Sequence, residues 1–136
     1  MGSILLVEAD PETSGLWADE LGFAGHAVVA TPAWRDALAS IREGGIDVVV
    51  IDAYDPRVGV VELAAALEDL PDTPPLVLLS ASPAAPELSA RICAAYFLAK
   101  PCEPSELVEV VGRLLRHHHP VVVFDDEPTG PVQIYD

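Results

Sequence analysis

Five short apolar runs, each followed by a segment with helix signals, most constrain what this chain can fold into. They are Ile4 to Val7, Ala27 to Ala30, Ile46 to Ile51, Leu76 to Leu79 and, weakest of the five, Tyr96 to Ala99. Central β-branched runs without polar alternation read as parallel strands covered on both faces. Between them, Asp10-Pro11-Glu12 supplies an N-cap, a proline at the first helical position and an early acid, and Leu16, Trp17, Glu20 and Leu21 follow at helical spacing. Pro32 to Ile41 predicts a second helix with Trp34, Leu38 and Ile41 as its inner stripe, and Val60 to Leu70 a third. The fourth starts near Ser82-Pro83 or Pro86 and runs to about Ala94. Glu103-Pro104-Ser105-Glu106 opens a fifth, which carries Leu107, Val110, Val111, Leu114 and Leu115. Gly44-Gly45 and Pro74-Pro75 break the chain between elements. The order is (βα)5, which predicts a doubly wound α/β fold: a five-stranded parallel sheet with helices on both faces and right-handed crossovers.

A length of 136 residues suits one domain and can bury roughly two-thirds of the unfolded surface, so the core needs no staples. The alternation ends near Arg116, which places the domain at 3–116 and a tail at 117–136. In that tail, VVVF and PVQIY flank DDEPTG; a β-hairpin, an extended docking arm and a disordered tail all fit this pattern. The run His117-His118-His119 reads as a helix end rather than a metal site, because consecutive helical residues do not face one way, and Asp125-Asp126-Glu127 as a solvated turn. The formal charge is -15, from 22 acidic and 7 basic residues, which argues against nucleic acid or an anionic membrane as partner. Cys93 and Cys102 read as reduced thiols. No apolar run reaches the roughly 18 residues of a membrane span, and the N-terminus lacks a secretory pattern, so the expectation is a soluble, cytoplasmic protein.

In an open parallel sheet, ligands sit at the carboxyl ends of the strands, where the strand order reverses. There the first strand delivers Glu8, Ala9 and Asp10, the third Asp52 and then Asp55, the fourth Ser80, and the fifth Lys100-Pro101. Lys100 is the only lysine of the chain. Its ammonium is a point charge suited to a phosphoryl oxygen or a carboxylate. Clustered carboxylates call for a cation or proton between them, and sites with few carboxylates are typical for Mg²⁺. A carboxylate also attacks phosphorus to give an acyl phosphate. The set reads as phosphoryl transfer to an aspartate, with metal and lysine offsetting charge.

Four stretches in order, ILLVEADP, VVVIDAYDP, LVLLSAS and FLAKPCEPSEL, make the chain from Ile4 to about Arg116 resemble the receiver domain of two-component response regulators, a flavodoxin-like fold. The resemblance implies that Asp52 is the phosphoacceptor and that Lys100 contacts the phosphoryl group. It implies that Ser80 is the hydroxyl that moves toward the phosphate, with Phe97 as the aromatic switch, and that Lys100-Pro101 is cis. Mg²⁺ is then held by Glu8, Asp52 and the backbone carbonyl of Tyr54. Output passes through protein contacts on the face of the fourth helix, fifth strand and fifth helix, a face that also permits a homodimer. The upstream partner is a histidine kinase or a phosphotransfer protein, and the chain is a signalling module rather than an enzyme, beyond self-catalysed phosphoryl transfer.

The chain departs from the family at its first strand end, where two adjacent acids are usual. Here they are Glu8 and Ala9, so the acid expected to ligate Mg²⁺ directly is missing and Mg²⁺ binding is weakened or absent. Asp10 is already placed to cap the first helix. The glycines usual after the acceptor are displaced, and Tyr54 is bulky beside it. Two readings follow: a single-domain receiver that accepts a phosphoryl group on Asp52, or a phosphorylation-independent pseudo-receiver that serves as an interaction module. Other chemistries fit worse. No GxGxxG or GxxxxGK[ST] is present, and Asp52 and Asp55 are three apart, where a haloacid-dehalogenase phosphatase wants two.

Overall fold

Each apolar run becomes a strand, and the register between strands decides which side chains meet. The computed structural model describes residues 2–52, 60–70 and 73–118. In chain order the elements are β1 (Ser3–Glu8), α1 (Pro11–Phe23), β2 (Ala27–Thr31), α2 (Trp34–Glu43), β3 (Val48–Asp52), α3 (Val60–Glu68), β4 (Leu76–Ser80), α4 (Ala85–Arg91), β5 (Tyr96–Ala99) and α5 (Pro104–His118). The strands form one parallel sheet in the order β2-β1-β3-β4-β5. The order reverses beside β1, so the crevice for a ligand opens at the carboxyl ends of β1 and β3.

Alternation along the strands separates two cores. Ile4, Leu6, Val48, Val50, Val77 and Leu79 pack with Trp17 and Leu21 of α1 and with Leu107, Val110, Val111 and Leu115 of α5. Leu5, Val7, Val49, Ile51, Leu76 and Leu78 pack with α2, α3 and Ala85 of α4 on the other face. Each fully buried leucine or isoleucine contributes about 1.5–3 kcal/mol of transfer free energy. The same period of two carries on to the strand ends. It puts Glu8, Asp52 and Lys100 on the α1/α5 side and Ser80 with Phe97 on the other.

β3 and β4 are buried throughout and β1 along its apolar run, as continuous apolar runs predict; β2 and β5 are not. Both lie at sheet edges, and Val29 of β2 is 49% exposed. In α1 the buried stripe is Trp17 and Leu21, while Leu16 points outward. In α2, Ala37 and Ile41 are buried, with Trp34 and Leu38 only half-buried against that core. Asp10 caps α1, its Oδ2 accepting from the Thr13 N–H at 2.9 Å and the Thr13 hydroxyl at 2.6 Å. α4 stops short of Ala94 because Cys93 adopts φ +55°, and Ala94 N–H then donates to the Ser89 carbonyl. Helix α5 continues to His118, two residues past the domain boundary expected at 116. The tail from 119 onward, and the acceptor loop 53–59 with Tyr54 and Asp55, lie outside the described residues. Among the described residues no helix is long and apolar enough to cross a membrane.

Candidate functional site

Glu8 and Asp52 are register partners on adjacent parallel strands, so their side chains leave the sheet side by side. Asp52 is 4% exposed. A carboxylate that deep needs partners for its oxygens, and it has three donor contacts. Lys100 Nζ lies 2.8 Å from Oδ1 and 3.1 Å from Oδ2, and the indole Nε1–H of Trp17 donates to Oδ2 at 2.6 Å. The lysine reaches in from the end of β5 with 30% of its side chain exposed. The peptide bond that follows it, Lys100-Pro101, is cis.

Glu8 is half-buried, and its Oε2 accepts from the backbone N–H of Asp10 at 2.8 Å. Its carboxyl is pushed up to about 7, chiefly by burial; contact with the Asp52 carboxylate and that group's charge add to the shift, against the Asp10 N–H and the Lys100 charge. Near neutral pH Glu8 therefore holds a proton part of the time. Asp10 behaves oppositely: the Thr13 hydroxyl, then the Thr13 N–H, hold its carboxyl below the usual range. It is a capping residue outside the carboxylate pair.

Ser80 is buried at the end of β4, and its Oγ accepts from the N–H of Ser82 at 3.1 Å. The Ser80 carbonyl accepts from the N–H of Lys100 at 3.0 Å, which ties the two strand ends together. Phe97 is half-buried on the same face, against the core that includes Ala85 of α4. Ala9 is exposed and lies on the rim of a shallow apolar cleft between β1, the start of α1 and the end of β2.

The chain from residue 4 to 112 matches the model of the response regulator receiver domain. The chain belongs to that family. Solved receiver-type structures agree. A candidate response regulator from Chloroflexus aurantiacus is 26% identical, with a TM-score of 0.77 over 85% of this chain and 98% of that one. The signal receiver domain of a signal transduction histidine kinase from Syntrophus aciditrophicus is 26% identical, with a TM-score of 0.75 over 91% and 100%. The BeF3-activated N-terminal receiver domain of RstA from Klebsiella pneumoniae is 29% identical, with a TM-score of 0.73 over 85% and 99%. No curated protein matches the chain. A receiver domain serves two-component signalling, and the sequence expectations of family and of a parallel (βα)5 sheet hold.

Receiver domains typically bind Mg²⁺ at their acidic strand ends. Among the described residues of this receiver domain, Glu8 and Asp52 are the strand-end carboxylates such an ion would use. Among the described residues no group of three or more His, Cys, Asp and Glu side chains is arranged to hold a metal. Position 9 offers a methyl group, Glu8 holds a proton part of the time, and both oxygens of Asp52 already accept from Lys100 and Trp17. Mg²⁺ keeps several waters and needs only one or two carboxylates, so Glu8 and Asp52 would hold it weakly, in competition with Lys100 and Trp17.

Trp17 is the site residue that sequence reasoning missed. Its place in the apolar stripe of α1 made it look like plain packing. The signal was available: a buried tryptophan must find an acceptor for its N–H, and the strand-end acids are the acceptors within reach of the first turns of α1.

Proposed function

We propose that this receiver domain is a signalling module that takes a phosphoryl group on Asp52 and passes the change on through protein contacts. The observation that carries it is the Lys100 ammonium bridging both oxygens of a nearly inaccessible aspartate at the switch point of the sheet. One Asp52 oxygen attacks the phosphorus of a phosphohistidine on a histidine kinase or phosphotransfer protein. The P–N bond breaks, its electron pair leaves with the imidazole, and an acyl phosphate remains on Asp52. Lys100 offsets charge on the phosphoryl oxygens, since preorganised cations at developing charge are the main catalytic lever of such sites. Ser80, at the neighbouring strand end, supplies the hydroxyl that follows the phosphate. Phe97 carries the change to the face of α4, β5 and α5, by stabilising one of two existing conformations. The BeF3-activated form of the RstA receiver from Klebsiella pneumoniae supports beryllofluoride as a probe.

Acetyl phosphate and beryllofluoride, each with Mg²⁺, test this reading. A mass gain of one phosphoryl group that disappears in Asp52→Ala is expected. No modification of the wild-type chain by acetyl phosphate or by a phosphorylated kinase would rule the reading out.

Two observations favour a second reading, the pseudo-receiver that binds a partner without phosphorylation. They are Ala9 in place of an acid and the three donor contacts Asp52 already has. Under that reading Asp52→Ala leaves partner binding intact.

A further inference from the structure

The Trp17–Asp52 hydrogen bond has no counterpart in the chemistry of phosphoryl transfer. Three facts bear on it. The indole N–H is a donor and nothing else, and Asp52 is the acceptor it finds among the described residues. At 2.6 Å to a carboxylate the bond is short and charge-assisted, the stronger class of hydrogen bond. The ring is 4% exposed and sits in the core that α1 and α5 form with β1, β3 and β4, so it cannot swing away as a surface side chain would.

A carboxylate that accepts a phosphoryl group must present a lone pair on one oxygen. Lys100 spans both oxygens of Asp52, but it is part exposed and free to follow an incoming anion. Trp17 is not. Its N–H holds Oδ2 from the core side, so part of that oxygen's acceptor capacity is taken before a cation or a phosphodonor arrives from solvent.

We propose that Trp17 is a built-in competitor for the Asp52 carboxylate, its indole N–H withholding Oδ2 from divalent cations and from phosphodonors until the α1/α5 core shifts. Trp17 is thus a positioning residue that sets the threshold of the site. The labelling arm of the test below rests on Asp52 being the phosphoacceptor; the cation arm does not.

Trp17→Phe keeps an aromatic ring and removes the donor. Replacing Trp17 by β-(3-benzothienyl)alanine keeps the bicyclic shape as well, and guards against a Phe variant that fails to fold. Mg²⁺ alone is titrated by NMR into the wild-type chain and both variants, and acetyl phosphate labelling is followed by mass, with Asp52→Ala as control. Loss of one hydrogen bond to a charged group predicts Mg²⁺ binding tighter by about tenfold or more, and labelling faster by a similar factor. Tighter Mg²⁺ binding with no labelling in any chain upholds the competition and overturns the phosphoacceptor reading. Unchanged Mg²⁺ affinity with equal labelling overturns the competition and upholds that reading. Neither a change in affinity nor any labelling overturns both.

Discussion

Glu8 on β1 and Asp52 on β3 face each other across one register pair, two acids held side by side under a single lysine. Like charges so placed do not both stay ionised at low cost, and the protonation of Glu8 is where that tension is relieved.

A pH dependence follows. Glu8 is raised from 4.5 to about 7 in the fold. Between those values the folded chain holds a proton that the unfolded chain has lost. Its stabilising effect is present at the acid end and is lost as pH rises toward 7. With a discount for the solvent-facing part of the side chain, the difference is about 1 kcal/mol. Urea unfolding of wild type against Glu8→Gln from pH 5 to pH 8 reads it. The wild type should lose stability relative to the variant across that span, and parallel curves would show that Glu8 titrates normally.

Removing the lysine should cost more than removing a surface charge. Lys100→Met leaves Asp52 buried with the Trp17 donor alone beside a second acid. Breaking a buried pair destabilises by about 3–5 kcal/mol, and the 30% exposure of the lysine brings the expectation down to about 1–3 kcal/mol. Denaturant midpoints measure it. The double variant Lys100→Met/Asp52→Asn should recover part of the loss, because no orphaned charge remains.

Ala9→Asp restores the acidic pair of the family. A third carboxylate at the end of β1 should tighten Mg²⁺ binding by about tenfold or more, read by calorimetric titration. An unchanged affinity would locate the deficit at Asp52, whose oxygens Trp17 and Lys100 already hold.

Far from the site, Cys93 closes α4 in the left-handed region, where glycine is at home. Its side chain is exposed, so little packing is lost on its removal. Cys93→Gly should raise stability by about 0.5–1 kcal/mol, seen as a higher melting temperature. A lower one would mean that the thiol carries packing in the α4–β5 connection.

The strand ends were legible because period-two alternation and parallel topology fix where Glu8, Asp52, Ser80 and Lys100 arrive, whatever lies between them. The buried strands β1, β3 and β4 were legible for the same reason. Edge strands were harder: AVVA in β2 reads as core, yet a strand at the rim of the sheet leaves part of its apolar surface in water. Helix stripes were legible to within one position: Leu16 and Trp17 stand about 100° apart around α1, so only one of them faces the sheet. The contact of Trp17 with Asp52 was not legible, because it depends on the distance between a helix and a strand end 35 residues away in sequence. No local pattern encodes that distance.

The exposed rim of β2 bears on how the protein keeps company with itself. Among the described residues, β2 pairs with β1 alone, and Ala27–Thr31 carries no charge, no proline and no bulge to blunt its open side. Protection against edge-to-edge zipping falls to the charge of -15 on the chain, which makes copies repel at a distance. That repulsion reaches about 8 Å at physiological ionic strength and about 3 Å at 1 M salt. Colloidal stability is therefore bound to ionic strength, and concentrated salt strips the strand of its guard.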